Sequence, residues 1–126
     1  MSAEESIIWG RFLSKFGSLH DSFNYDLRVG NGISPDVPIP NKFTADYEDL
    51  TKKRIDAVGY IGNQANIYEV KQRGNLSALG QLLGYHALFM KSFPNYPVAG
   101  LFLVCSSISP EDHKIISSNG ITVVVI

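Results

Sequence analysis

The 126-residue chain has a single cysteine, Cys105, which excludes an intrachain disulfide and any multi-cysteine zinc site. Cys105 lies in the apolar run VAGLFLVCSS, where a small buried core residue is expected. A secretory start is also missing. MSAEESIIWG carries Glu4 and Glu5 where a signal peptide needs positive charge followed by a long apolar stretch. No apolar run approaches membrane-spanning length. Basic excess is lacking too: 11 Lys and Arg stand against 12 Asp and Glu, for a net charge of -1. Charge alone therefore does not announce a nucleic-acid partner. The three histidines, His20, His86 and His113, share no metal-ligand spacing. There is no internal repeat and no low-complexity tract. These absences describe a soluble, intracellular protein, expected in the reducing cytoplasm.

What is present fits one domain, residues 1–126, with 44% hydrophobic residues and a real core. Ile8, Trp9, Phe12, Leu13 and Phe16 recur at helical spacing over Glu4–Phe16, with acids in the first turn and Gly17 at the end. FNYDLRVG, from Phe23 to Gly30, reads as a strand. Pro35, Pro38 and Pro40 then mark an extended loop, followed by the ambiguous TADYEDLTKK. Arg54–Gln72 reads as a β-hairpin. Asn75 can cap a helix over Leu76–Lys91, whose expected apolar stripe is Leu76, Leu79, Leu83 and Met90. Gly80 and Gly84 each cost that helix about 1 kcal/mol against Ala, which suggests close backbone packing. VAGLFLVC and ITVVVI read as strands covered on both faces. Between them Ser109-Pro110-Glu111-Asp112 opens a helix that Asn119-Gly120 closes. The order is helix, three strands as a meander, helix, strand, helix, strand: an α/β mixed sheet flanked by helices.

The hairpin RIDAVGYIGNQANIYEVKQ holds the chemistry. A two-residue Gly62-Asn63 turn sets Ile61 against Gln64. Continuing that register sets Asp56 against Glu69, Cβ atoms roughly 4.5–5.5 Å apart. Alternation puts Lys71 on the same face, with Arg54 opposite it. Two facing carboxylates repel by up to about 1 kcal/mol. A divalent cation reverses that sign, and Mg²⁺ takes one or two carboxylates while keeping waters for a phosphate. A bland arrangement remains open: Arg54, Asp56, Glu69 and Lys71 as a solvated ladder of salt bridges.

Asp56 followed by Glu69-Val70-Lys71 on the next strand resembles the D…ExK signature of the PD-(D/E)XK nuclease superfamily. The surrounding element order resembles its αβββαβ core, with an added C-terminal helix and strand. Gln81 and Tyr85 on the following helix are similar to the Q-x-x-x-Y motif of its RecB/Cas4-like branch. The resemblance implies a restriction-endonuclease-like fold and Mg²⁺-dependent hydrolysis of DNA, with Mn²⁺ as a substitute. It makes Asp56 and Glu69 metal ligands, Val70 a main-chain carbonyl ligand, Lys71 the catalytic lysine and Gln81 an orienting residue. Tyr85 would stack on or bond to nucleic acid. Holliday-junction-resolvase-like members add a first-helix glutamate, for which Glu5 is the candidate. Lys52, Lys53, Arg54, Arg73 and Arg28 are the candidate phosphate contacts, and small nucleases of this fold often form homodimers. The dipeptide Pro35-Asp36 looks like the superfamily name but lies far from Glu69, so Asp56 is the better assignment. The competing function is a non-catalytic DNA-binding or assembly protein on the same fold, which the low positive charge favours.

Overall fold

A computed structural model describes residues 1–30 and 53–126. Lys52, the Pro35-Asp36 dipeptide, the expected proline-rich loop and most of TADYEDLTKK lie outside the described residues. The elements are α1 (Ala3–Phe16), a 3₁₀ turn (Gly17–Leu19), β1 (Ser22–Val29), β2 (Lys53–Ile61) and β3 (Gln64–Arg73). They continue with α2 (Leu76–Ser92), β4 (Val98–Ser107), α3 (Pro110–Ser118) and β5 (Ile121–Val125). One sheet runs β1-β2-β3-β4-β5. β1, β2 and β3 form the antiparallel meander, and β3, β4 and β5 are parallel.

Two parallel connections each need a crossover helix, and right-handed crossovers in one direction put both helices on one face. α2 and α3 accordingly share a core with the sheet built on Ile55, Val58, Ile67, Leu82, Phe89, Leu103 and Ile116. α1 covers the opposite face, where Ile8, Trp9 and Phe12 pack on Ala57, Tyr68, Val70 and Val104. β3 therefore lies between two layers and is buried from Ala65 to Val70. Cys105 is buried with a free thiol, as its apolar run suggested.

The local signals operate at the helix starts. Ser2 and Glu5 form a capping box on α1. Asn75 accepts the Ser77 N–H at the start of α2, and Ser109 accepts the Asp112 N–H at the start of α3, with Pro110 in its first turn. Gly62, at φ 61, takes the left-handed backbone that the hairpin turn requires.

Three expectations need correction. α2 buries Ala78, Leu82, Tyr85 and Phe89, whereas Leu76, Leu83 and Met90 are about half exposed. The helix is apolar almost all round, so two stripes satisfy the 3.6-residue period. The sheet takes the stripe that contains Phe89. Gly80 and Gly84 consequently face outward, with no described atom within 4 Å of where a Cβ would stand, and do not serve close packing. β5 is an edge strand rather than a covered one, and Val125 is 52% exposed.

The third correction concerns the β1–β2 ribbon. Phe23 and Ala57 belong to the α1-side cluster, but Leu27 and Ile55 pack into the α2-side cluster. Odd-numbered residues thus change face along both strands. The change falls between the pairs Tyr25–Ala57 and Leu27–Ile55, where Asp26 adopts φ 51. That left-handed conformation is one that Asp tolerates better than most residues. Strict alternation therefore fails at Asp56. Arg54 pairs with Arg28 on β1, and the β2–β3 ladder ends before it reaches Arg54, so no ladder pair sets Arg54 opposite Lys71.

Candidate active site

The β2–β3 ladder follows the expected register from Ile61–Gln64 to Ala57–Tyr68 and stops there. One step further, the Asp56 carboxylate replaces the ladder bond: its Oδ2 accepts the Val70 N–H at 2.8 Å. This contact holds Asp56 against β3 beside Glu69. Asp56 thereby stands close enough to Glu69 for each carboxyl group to act on the other's charge.

Glu69 is 4% exposed, a rare state for a carboxylate. Burial first, then the contact with Asp56, pushes its pKa well above the ordinary range. Lys71 and the Tyr85 hydroxyl act in the opposite direction. Tyr85 rises from α2 to meet Glu69, and burial plus both carboxylates drive its own pKa up. Gln81, one turn earlier, lies beside Tyr85 and partly offsets that rise. Lys71 is half-buried beside Cys105 of β4. The structure thus brings Asp56, Glu69, Lys71, Gln81 and Tyr85 to one place, on the α2 side of the sheet.

No ion pair joins Asp56 or Glu69 to Arg54 or Lys71 among the described residues. The salt-bridge ladder that the sequence left open is therefore not formed. Among the described residues, two buried acceptors instead lack a partner: Glu69 Oε2 and Gln81 Oε1. An unsatisfied carboxylate oxygen costs on the order of 1–3 kcal/mol or more. A divalent cation would satisfy it. The described residues contain no cluster of three or more His, Cys, Asp or Glu side chains able to hold a metal. Two carboxylates and a carbonyl do not make a closed cage, but they match the few protein ligands that Mg²⁺ takes at phosphate-binding sites.

Other candidates fall elsewhere. The Glu5 carboxylate accepts the Ser2 backbone N–H at 2.8 Å, as part of the α1 cap. It belongs to α1, the helix on the opposite face of the sheet from α2. Arg54 and Arg73 are exposed on β2 and at the end of β3. Lys53 lines a pocket of about 280 Å³ with Gly80, Gln81, Gly84, Tyr85 and Leu88. Nothing local in the sequence links Lys53 to this part of α2, since 27 residues separate Lys53 from Gly80. The i, i+4 spacing of Gly80 and Gly84, one residue before Gln81 and Tyr85, was the available signal.

No family model matches the chain, and no curated protein does. A solved structure described as "Structure of EndoMS-dsDNA2 complex" contains a chain that is similar over 100% of this one, with a TM-score of 0.55 and 13% sequence identity. This chain spans 46% of that chain's length. At that identity the likeness is one of fold, and with the five-stranded mixed sheet flanked by helices it makes the architecture restriction-endonuclease-like.

Proposed function

We propose that the chain is a metal-dependent nuclease that hydrolyses DNA phosphodiester bonds, in the manner of the PD-(D/E)XK superfamily. The observation that carries this reading is the buried Asp56–Glu69 pair, whose Glu69 Oε2 has no partner. The structural neighbour, in a complex with double-stranded DNA, supports DNA as the partner.

Asp56, Glu69 and the Val70 carbonyl would hold Mg²⁺, or Mn²⁺ in its place. When bound, the ion neutralises phosphate charge and lowers the pKa of its water. The chain's own residues do the rest. The Asp56–Val70 hydrogen bond fixes one carboxylate, and the Tyr85 hydroxyl orients the other. Lys71 stands where a cation can stabilise charge developing on a phosphate. Gln81 braces Tyr85, with an amide oxygen left to orient a substrate group. Lys53, Arg54 and Arg73 supply phosphate contacts, and two copies acting as a homodimer would pool these modest charges. A DNA substrate and the single buried thiol of Cys105 suit the cytoplasm.

A second reading, a non-catalytic DNA-binding or assembly protein, draws on the net charge of -1. The two are separated by incubating purified protein and Glu69→Gln with single-stranded, double-stranded and branched DNA in Mg²⁺ or Mn²⁺. Cleavage by the wild type and not by the variant is expected. Intact DNA in every wild-type reaction would overturn the nuclease reading in favour of the second.

A further inference from the structure

We infer that the pocket between Lys53 and α2 is a subsite for one unpaired nucleobase of the substrate strand. The inference rests on the nuclease reading and names the form of DNA the site takes. The pocket shares Gln81 and Tyr85 with the carboxylate site, and Tyr85 meets Glu69. Whatever fills it lies next to the reacting phosphate.

Its chemistry is that of a nucleotide. The floor is bare helix backbone at Gly80 and Gly84, with no described atom within 4 Å of either added Cβ. A flat ring can lie against such a floor, and any larger residue would occupy the space. Leu88 and the edge of Tyr85 supply apolar walls. Gln81 Oε1 is a buried acceptor without a donor, suited to a ring N–H or an exocyclic amine. Lys53 stands at the wall as the cation for the adjoining phosphate. At about 280 Å³ the pocket lies just under the ~300–1,000 Å³ of sites for drug-sized ligands. That is room for one base.

A base stacked within a continuous duplex cannot enter a side pocket of this kind. It must already be unpaired, or swing out at the cost of stacking and pairing. The site therefore favours single strands, frayed ends and distorted duplexes over continuous duplex. Both glycines lie within a 17-residue helix, where Gly folds less well than Ala, and the open floor is what they provide.

The test is fluorescence anisotropy with labelled thymidine oligonucleotides of about ten residues, the length that one small domain covers. A blunt duplex of the same length is the comparison, and Ca²⁺ replaces Mg²⁺ so that binding is read without turnover. Gly84→Leu fills the pocket and should keep or raise the melting temperature, because it improves helix propensity. Gly10→Leu is the matched control, an outward helix glycine on α1 with open space around it. The wild type and Gly10→Leu should bind the single strand about tenfold tighter than the duplex, and Gly84→Leu should lose most of that preference. Gly84→Leu binding as the control does, equal affinity for duplex and single strand, or no single-strand binding would each overturn the subsite. Cleavage in Mg²⁺ is scored separately. A pocket-dependent preference with no cleavage removes the nuclease reading and leaves a DNA-binding pocket. Cleavage with indifferent Gly84→Leu removes the pocket alone.

Discussion

The Asp56 carboxylate accepts the Val70 N–H at 2.8 Å, one step beyond the last regular pair of the β2–β3 hairpin. A side chain thus takes the place of a backbone carbonyl where the ribbon changes face. The same bond presses Asp56 against Glu69, so the geometry that ends the ladder also creates the carboxylate pair. Two substitutions at one position separate these roles. Asp56→Asn keeps an acceptor for Val70 and removes the negative charge beside Glu69. The metal-free protein should be as stable as wild type or slightly more so, with cleavage lost. Asp56→Ala leaves the Val70 N–H without a partner and should cost about 1–3 kcal/mol. Urea midpoints in EDTA, read beside a cleavage assay, check both. Equal destabilisation by Asn and Ala would mean that the charge itself supports the fold.

Glu69 gives the metal-free protein a pH dependence of unusual sign. Its folded-state pKa is raised above the model value of 4.5 by burial and by Asp56. The folded state therefore binds more protons than the unfolded chain at any pH between the two values. The stabilisation is fully present below the unfolded pKa and is lost as pH rises through the folded one. Melting temperature in EDTA should fall from about pH 5 to about pH 8, and Glu69→Gln should flatten that slope. A wild-type curve that is flat or rising over this range would show that Glu69 is ionised without cost.

The path from sequence to this site was uneven, for physical reasons. Period-2 alternation and the Gly62-Asn63 turn set the register as far as Ala57–Tyr68, because a short hairpin turn dictates pairing. The register could not foretell the slip at Asp26, which depends on one left-handed residue on a different strand. Beyond that slip the β2–β3 ladder has ended, so Arg54 forms no ladder pair with Lys71. Helix caps at Ser2, Asn75 and Ser109 were legible, since capping is local chemistry. The inward face of α2 was not, because Leu76, Leu83 and Met90 match the helical period as well as Ala78, Leu82 and Phe89 do. Which stripe turns inward is decided by the sheet. Gln81 and Tyr85 stand out as a motif, yet the approach of Tyr85 to Glu69 depends on how α2 packs on the sheet.

Lys71 separates chemistry from binding. Its charge lowers the Glu69 pKa, and it makes no ion pair with either carboxylate among the described residues. A free ammonium beside the pair acts mainly on charge that builds in the transition state. Lys71→Ala should abolish turnover and leave DNA affinity within about threefold, the mark of an interaction absent from the ground state. Lys53→Ala and Arg73→Ala should instead weaken binding and flatten its dependence on salt. Salt titrations of DNA affinity and single-turnover cleavage make the comparison. Full turnover by Lys71→Ala would remove it from the chemistry.

Tyr85 tests whether the second layer of the site tunes the first. Its hydroxyl lies beside Glu69 and favours the ionised carboxylate that a cation needs. Tyr85→Phe deletes that hydroxyl and keeps the ring, which is buried at 8% exposure against the α2 core. Without the hydroxyl the Glu69 pKa rises further, so a given metal concentration fills the site only at higher pH. The acid limb of the cleavage profile should move to higher pH, with Mn²⁺ affinity at neutral pH reduced by about tenfold, the scale expected for partners that orient metal ligands. Raising the pH should restore much of the rate, which a simple packing defect would not permit. Calorimetric Mn²⁺ titrations at two pH values and a pH–rate profile of the variant make the measurement. A variant with an unshifted profile would reduce Tyr85 to a packing residue and leave the raised pKa of Glu69 to burial and Asp56 alone.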